Sequence, residues 1–166
     1  MSDDAHPARA LRIRQAARAL VLDPADRVLL VRFVFPDAGE RWALPGGGLE
    51  PGETHVDALH RELDEELGLT GVDIGPHVWS RLHIIPFVDG RHDGQEERIH
   101  LVRTEAFEPR PRLTAAELRE EYVHGMRWWH LDEIHDGLPF VPTSLRTHLE
   151  QLLRVGLPST PVDVGV

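Results

Sequence analysis

Cysteine is absent from this chain of 166 residues, and so is any apolar run long enough to span a membrane. The lack of cysteine excludes disulfide bonds, thiol catalysis and cysteine-ligated zinc. A membrane helix needs about 20 consecutive apolar residues, so we expect no membrane span. The first residues also lack the basic and apolar stretches of a secretory signal. These absences together predict a cytoplasmic protein.

Positive charge is also scarce, because 18 lysines and arginines stand against 28 aspartates and glutamates, which gives a formal net charge of −10. Proteins that follow a nucleic-acid backbone usually carry an excess of basic residues. A phosphate-bearing partner would be repelled here unless divalent cations neutralised it. The balance of charge therefore favours a small, metal-chelated phosphate compound over a nucleic-acid polymer.

The most informative segment begins with three glycines, Gly46 to Gly48, which follow a short apolar run and can approach a ligand with bare backbone. Next comes Glu50-Pro51-Gly52-Glu53, whose proline and glycine are typical of a type II turn. Thr54 is then a candidate N-cap with Asp57 as its capping-box partner, and Gly68 is a C-terminal stop. This pattern predicts a helix over residues 55–67.

Two faces can be assigned on the predicted helix. Apolar residues at spacings of three and four form a stripe that must face a core, namely Val56, Leu59, Leu63 and Leu67. Three carboxylates fall within roughly 100° of arc beside that stripe, where core meets solvent, namely Glu62, Glu65 and Glu66. Like charges so placed repel one another. Clustered carboxylate oxygens are hard ligands suited to Mg²⁺ or Mn²⁺, so we expect a metal site.

The rest of the chain shows alternating and continuous apolar patterns. Residues 16–22, 28–34, 77–85 and 98–107 are predicted strands, the first two joined as a hairpin, and the strand over 28–34 is apolar on both faces and so central. A short helical turn begins at residue 131, and an amphipathic helix is predicted over 143–155. We expect one α/β domain over residues 13–155, a mixed sheet covered by helices, with flexible ends at 1–12 and 156–166.

The segment from Gly47 to Leu69 resembles the signature of the Nudix hydrolases. Gly47 is followed at the family's spacing by Glu53, then by Arg61-Glu62-Leu63, Glu65-Glu66 and Gly68-Leu69, so every fixed position of the pattern is filled. The resemblance implies the Nudix α-β-α sandwich as a single domain. It also implies a hydrolase acting on acid anhydrides, in which water attacks the pyrophosphate linkage of a nucleoside diphosphate joined to another group.

The resemblance implies a role for each matching residue. Glu65, Glu66 and the carbonyl of Gly46 would bind Mg²⁺ or Mn²⁺, and Glu62 would be a further ligand or the base that deprotonates the attacking water. Because a carboxylate beside a metal does not easily acquire a raised pKa, activation of the water by the metal should do much of that work. Glu53 and Arg61 would orient Glu62 and the glycine loop through charge-assisted hydrogen bonds.

The sequence leaves open which later acidic residue completes the metal site. The four candidates are Glu96, Glu97, Glu120 and Glu121. We prefer Glu120 and Glu121, because they precede Trp128 and Trp129. Arg91 lies in a polar loop from which it could reach the substrate, and Glu120 and Glu121 are further candidates for that role.

The resemblance also leaves the substrate open. The proline typical of ADP-ribose hydrolases and the tyrosine typical of dinucleotide polyphosphate hydrolases do not stand at their positions, where this chain has Ile84-Ile85-Pro86-Phe87. A nucleotide-binding sensor without turnover is the alternative, although such a module would be expected to lose carboxylates that this chain keeps. An isopentenyl diphosphate isomerase would need a cysteine. Dimers are common in this family, so the resemblance also suggests a homodimer.

Overall fold

The computed structural model describes residues 8–87 and 90–166. Its strands are β1 (Ile13–Leu22), β2 (Val28–Phe35), β3 (Gly39–Ala43), β4 (Gly46–Gly48), β5 (His77–His83), β6 (Gly94–Arg103), β7 (Val123–Trp129), β8 (Phe140–Val141) and β9 (Val162–Asp163). Its helices are α1 (His55–Leu67), α2 (Ala115–Glu120) and α3 (Leu145–Val155), with a 3-10 turn at Leu131–Glu133. None of the helices within these described ranges is both long and apolar enough to cross a membrane.

All the strands belong to one mixed sheet, in the order β8-β3-β2-β1-β6-β5-β9, with β4 paired to β1 and β7 paired to β2. β1 runs parallel to β6 along its whole length, whereas it is antiparallel to β2 and to β4. The short glycine strand β4 is therefore fixed beside the middle of β1, with Ala17 opposite Gly47. This pairing places the family signature against the centre of the sheet.

The sheet has a hydrophobic core on each face, because successive residues of a strand point to opposite sides. On one face, Leu20 and Leu22 of β1 join a buried cluster with Leu145 and Leu149 of α3. On the other face, Ala17 and Ala19 join a cluster with Leu59 and Leu63 of α1. The predicted sheet between helices, an α-β-α sandwich in a single domain, is thus confirmed.

The sequence predicted the longer elements well and missed the short ones. Helix α1 has the predicted bounds, β2 is central and fully buried over Val28–Val31, and the predicted hairpin joins β1 to β2. The strands predicted over 77–85 and 98–107 are instead His77–His83 and Gly94–Arg103. Elements β3, β4, α2, β7 and β8 were not predicted, because most of them are too short to show a periodicity.

The C-terminal segment differs from the flexible tail expected over residues 156–166. Strand β9 pairs in parallel with β5, and the amide of Val164 donates to the carbonyl of Ser80 at 2.9 Å. The side chain of Val164 is 3% exposed within the core on the α3 side. A two-residue strand between prolines and glycines gives no detectable pattern, so only the tertiary contact reveals it. At the other end, residues 1–7 of the predicted flexible N-terminus lie outside the described residues.

Candidate metal centre

Local chemistry sets both ends of α1. Thr54 accepts a hydrogen bond from the amide of Asp57, whose side chain accepts from the amide of Thr54, so the predicted capping box is present. The helix ends at Gly68, which has a left-handed φ of 66°. Before the helix, Gly52 has a φ of 83° and the amide of Glu53 donates to the carbonyl of Glu50 at 3.0 Å, which confirms the predicted turn. These features hold the acidic residues of the helix in a fixed register.

The helix buries most of the predicted stripe, because Leu59, Leu63 and Leu67 are all buried, but its buried face is wider than expected and excludes Val56. Val56, predicted to lie in the core stripe, is 38% exposed, whereas Ala58 is completely buried. Glu62 and Glu66 are 7% and 2% exposed, so they lie inside the protein rather than at the boundary with solvent. The cause is the glycine strand β4, which has no side chains to keep the carboxylates at a distance. Only Glu65 keeps the expected intermediate position, with 18% of its side chain exposed.

Three carboxylates converge in the described part of the chain, those of Glu62, Glu66 and Glu121, with one oxygen of each lying within 4.8 Å of the others. Glu121 follows directly after α2, and it is one of the two later acids that the sequence analysis preferred. Glu65, expected from the resemblance to bind metal, is not in this group. Its carboxylate lies 3.2 Å from Arg112 and 3.5 Å from Arg61.

The other candidate acids have different environments. Glu120 and Glu96 are exposed, as is Glu121, but neither of them belongs to the group of converging carboxylates found among the described residues. Glu97 is 5% exposed, but it lies in a separate ion-pair cluster with Arg18 and Arg81. Of the four acids that the sequence left open, Glu121 is therefore the one that the described part of the chain brings next to Glu62 and Glu66.

Burial and mutual repulsion make the ionised forms of the clustered carboxylates unfavourable. Burial, followed by the negative charge of Glu62, raises the pKa of Glu66 to about 8. Burial also raises the pKa values of Glu62 and Glu121. Such shifts mean that the ionised carboxylates are not fully compensated by neighbouring cations. A hard divalent cation among the three groups would supply the compensation, so the donor set fits Mg²⁺ or Mn²⁺.

Arg61 joins the turn, the glycine strand and the carboxylate cluster. Its guanidinium binds both oxygens of Glu53 at 2.8 Å, and it donates to Oε1 of Glu62 at 2.9 Å and to the carbonyl of Gly48 at 3.0 Å. The bond from Arg61 lowers the pKa of Glu53 to about 2. Glu53 therefore stays ionised at neutral pH and orients Arg61, which in turn orients Glu62. This geometry is the one expected for Glu53 and Arg61.

Gly46 and Gly47 of β4 pack closely against the protein itself, and the predicted approach of a ligand to their backbone stays a prediction. A Cβ atom on Gly47 would lie 2.5 Å from Oε1 of Glu62, and one on Gly46 would lie 2.1 Å from the carbonyl oxygen of Ala17. Bare backbone is therefore needed for close packing against the protein itself rather than only for a ligand. The amide of Gly46 also donates to Oε2 of Glu66 at 3.2 Å. Strand β4 thus contacts two carboxylates of the cluster, those of Glu62 at Gly47 and Glu66 at Gly46.

A model of the NUDIX domain matches residues 12–152. The chain belongs to the Nudix family. A relative from Mycobacterium tuberculosis, named "Putative 8-oxo-dGTP diphosphatase 2", is 38% identical over 105 residues, which cover 58% of this chain and 71% of the relative. An RNA pyrophosphohydrolase from Acidiphilium cryptum is 35% identical over 104 residues, which cover 58% of this chain and 63%, less than two thirds, of that relative.

Solved structures show the same Nudix architecture. The dihydroneopterin triphosphate pyrophosphohydrolase of E. coli superposes with a TM-score of 0.63 and 16% sequence identity, covering 89% of this chain and 100% of that one. At this identity the similarity concerns the fold alone. It confirms the mixed curved sheet and the helices on its two faces.

Two further arginines of the Nudix domain are relevant to the site, Arg91 and Arg18. Arg91 is exposed on the loop between β5 and β6, and its role in substrate binding stays a prediction. Sequence reasoning missed Arg18, which donates to the carbonyl of Gly46 at 2.8 Å from the neighbouring strand. The signal was available, because a charged side chain in the otherwise apolar run Ala16–Leu22 is unusual for a buried strand.

Proposed function

We propose that this chain is a divalent-metal-dependent hydrolase that cleaves the pyrophosphate linkage of a nucleoside diphosphate joined to another group. The observation that carries the proposal is the convergence of Glu62, Glu66 and Glu121, two of them buried, within 4.8 Å. Three carboxylates at such close range, only partly compensated by Arg61 and the Gly46 amide, are unfavourable in a protein without a bound cation. Family membership and the names of the sequence relatives support a pyrophosphohydrolase activity.

Glu62, Glu66 and Glu121 would hold a magnesium or manganese ion, and the carbonyl of Gly46 and Glu65 are the further ligands that the family pattern implies. When bound, such an ion lowers the pKa of a coordinated water and neutralises charge on the phosphates. Glu65 pairs with Arg61 and Arg112 instead of joining the cluster, so its participation would require those ion pairs to rearrange.

The protein groups around the site have distinct tasks. Glu53 fixes Arg61 through two hydrogen bonds, and Arg61 donates to Oε1 of Glu62. Oε2 of Glu62 is then directed either to hold the ion or to accept the proton of the attacking water. Glu53 cannot take that proton at neutral pH, because its pKa lies at about 2. Of Glu53 and Glu62, the two carboxylates that contact Arg61 most closely, Glu62 is therefore the candidate base.

For the substrate, we propose a small nucleotide carrying a phosphate chain. The net charge of −10 disfavours a nucleic-acid polymer, since each added phosphate increases repulsion from the protein. The M. tuberculosis relative is named for a deoxynucleoside triphosphate, so this class stands first in a substrate panel. The panel also contains nucleotide sugars, ADP-ribose, dinucleotide polyphosphates and NADH, together with RNA bearing a 5′-triphosphate.

The decisive experiment compares Glu66→Gln with Glu105→Gln on the substrate that the panel selects. Glu66→Gln removes one carboxylate from the cluster, and we expect turnover to fall about 100-fold or more. Glu105→Gln removes the same charge from an exposed residue that belongs to no candidate site, and we expect wild-type turnover. Hydrolysis by Glu66→Gln at the wild-type rate would refute the proposed role. Nucleotide binding by the wild type without any hydrolysis would identify a sensor instead.

A further inference from the structure

Arg18 is a charged residue in a strand that is otherwise buried among apolar neighbours. Only 16% of its side chain is exposed, while Ala17 and Ala19 on either side are completely buried. Removing a guanidinium from water is unfavourable unless strong partners replace the water. The contacts of Arg18 therefore indicate what this side chain does.

The guanidinium of Arg18 connects β1 to the peptide at the start of β4. Nη1 donates to the carbonyl of Gly46 at 2.8 Å and more weakly to the carbonyl of Leu44 at 3.4 Å. Nε donates to Oε1 of Glu97 at 3.1 Å. The planar fork of an arginine can satisfy a carbonyl and a carboxylate at once, which the single nitrogen of a lysine does less well.

Gly46 connects Arg18 to the carboxylate cluster through two hydrogen bonds. Its carbonyl accepts from Arg18, while its amide donates to Oε2 of Glu66 at 3.2 Å. Its φ of 137° and the 2.1 Å that a Cβ would leave to the carbonyl oxygen of Ala17 show that this residue has little freedom. Gly46 thus contacts Arg18 through its carbonyl and Glu66 through its amide.

Arg18 is itself held by a buried polar network. Glu97, which is 5% exposed, accepts from Nε2 of Gln95 at 2.6 Å and from Nη1 of Arg81 at 3.4 Å, in addition to Arg18. Gln95 in turn accepts from Arg14 at 2.6 Å. These side chains come from β1, β5 and β6, so the network ties Arg18 to the rigid centre of the sheet.

We infer that Arg18 is a positioning residue for the metal centre, which fixes the Gly46 carbonyl and, through the Gly46 amide, the carboxylate of Glu66. Glu97 holds Arg18 in the orientation that this task requires. The inference rests on the proposed function in one respect, namely that the carboxylate cluster binds a divalent cation. It does not depend on which nucleotide is hydrolysed.

The test is a titration of the protein with Mn²⁺ alone, followed by electron paramagnetic resonance, for the wild type and Arg18→Lys. Lysine keeps the charge but loses the fork, so we expect the Mn²⁺ dissociation constant to rise about tenfold. In the hydrolysis assay, the loss of rate should recover as Mn²⁺ approaches saturation, with the substrate KM unchanged. Arg103→Lys is the matched control, because Arg103 forms an exposed ion pair with Asp26, and its Mn²⁺ affinity should equal that of the wild type.

A purely structural role for Arg18 would lower the melting temperature of Arg18→Lys and leave Mn²⁺ affinity unchanged, and that result would overturn the inference. If Arg18→Lys does not fold, Glu97→Gln decides, because it keeps the shape of the side chain while weakening its hold on Arg18. Wild-type Mn²⁺ affinity in Glu97→Gln would then contradict the inference. Because these titrations contain no substrate, failure of the wild type to hydrolyse any nucleotide would refute the proposed reaction alone.

Discussion

Replacement of Gly47 by alanine tests the tight fit between the glycine strand and Glu62. The added Cβ would lie 2.5 Å from Oε1 and 2.8 Å from Cδ of Glu62, whereas ordinary contacts begin at 3.4 Å. Gly47 does not have a left-handed φ, so alanine introduces no backbone strain there. The clash must then be relieved by movement of the Glu62 carboxylate.

The size of the effect follows from that distance. Glu62 must move by roughly 1 Å, and a misplacement of this size in a catalytic group can cost about 100-fold in rate. The carboxylate cannot move without disturbing its 2.9 Å bond from Arg61. We therefore expect Gly47→Ala to lose about 100-fold in kcat/KM while its melting temperature stays close to that of the wild type.

The assay measures kcat/KM and thermal unfolding for Gly47→Ala and for Gly39→Ala as control. Gly39 has a φ of 73° with open space around it, so alanine there should reduce stability by about 1 kcal/mol without affecting activity. Gly47→Ala should thus lose activity and keep its stability, whereas Gly39→Ala should lose stability and keep its activity. Activity of Gly47→Ala within threefold of the wild type would refute the claim that Glu62 is fixed by contact with this glycine.

Two other predictions concern stability. Because burial and then Glu62 raise the folded-state pKa of Glu66 from its ordinary value to about 8, the metal-free protein should lose stability as pH rises from 5 to 8. In urea unfolding, Mg²⁺ or Glu66→Gln should reduce that loss, and an equal loss in all three samples would contradict the assignment. Val164→Ala removes two buried methyl groups and should cost about 1.5 kcal/mol. Val162→Ala, two residues earlier at a position that is 37% exposed, should cost much less, and equal losses would show that the segment is not packed on the core.

The sequence predicts best what depends on neighbouring residues. The cap at Thr54, the stop at Gly68 and the turn at Gly52 are local devices, so the bounds of α1 follow from them directly. The apolar stripe was assigned less well, and Val56 is exposed. Periodicity identifies the apolar residues of a helix, but the surface against which the helix packs decides how it is rotated. Here that surface includes a strand without side chains.

The candidate metal centre combines residues that are close in sequence with residues brought together only by the fold. Glu62 and Glu66 lie on one helix and were predicted from spacing. Glu121 comes from the end of α2, a six-residue helix that was not predicted, so its selection over Glu96, Glu97 and Glu120 required the tertiary structure. Arg18 acts from a neighbouring strand, and no local motif links it to Gly46.

The most direct test of the central claim is an anomalous difference map from crystals grown or soaked with Mn²⁺. Our account predicts a peak among the carboxylate oxygens of Glu62, Glu66 and Glu121, at distances of about 2.1–2.3 Å, between those typical of Mg²⁺ and Ca²⁺. Loss of that peak in Glu66→Gln crystals would support it further. A Mn²⁺ ion bound elsewhere, with these three carboxylates separated from it, would contradict the account.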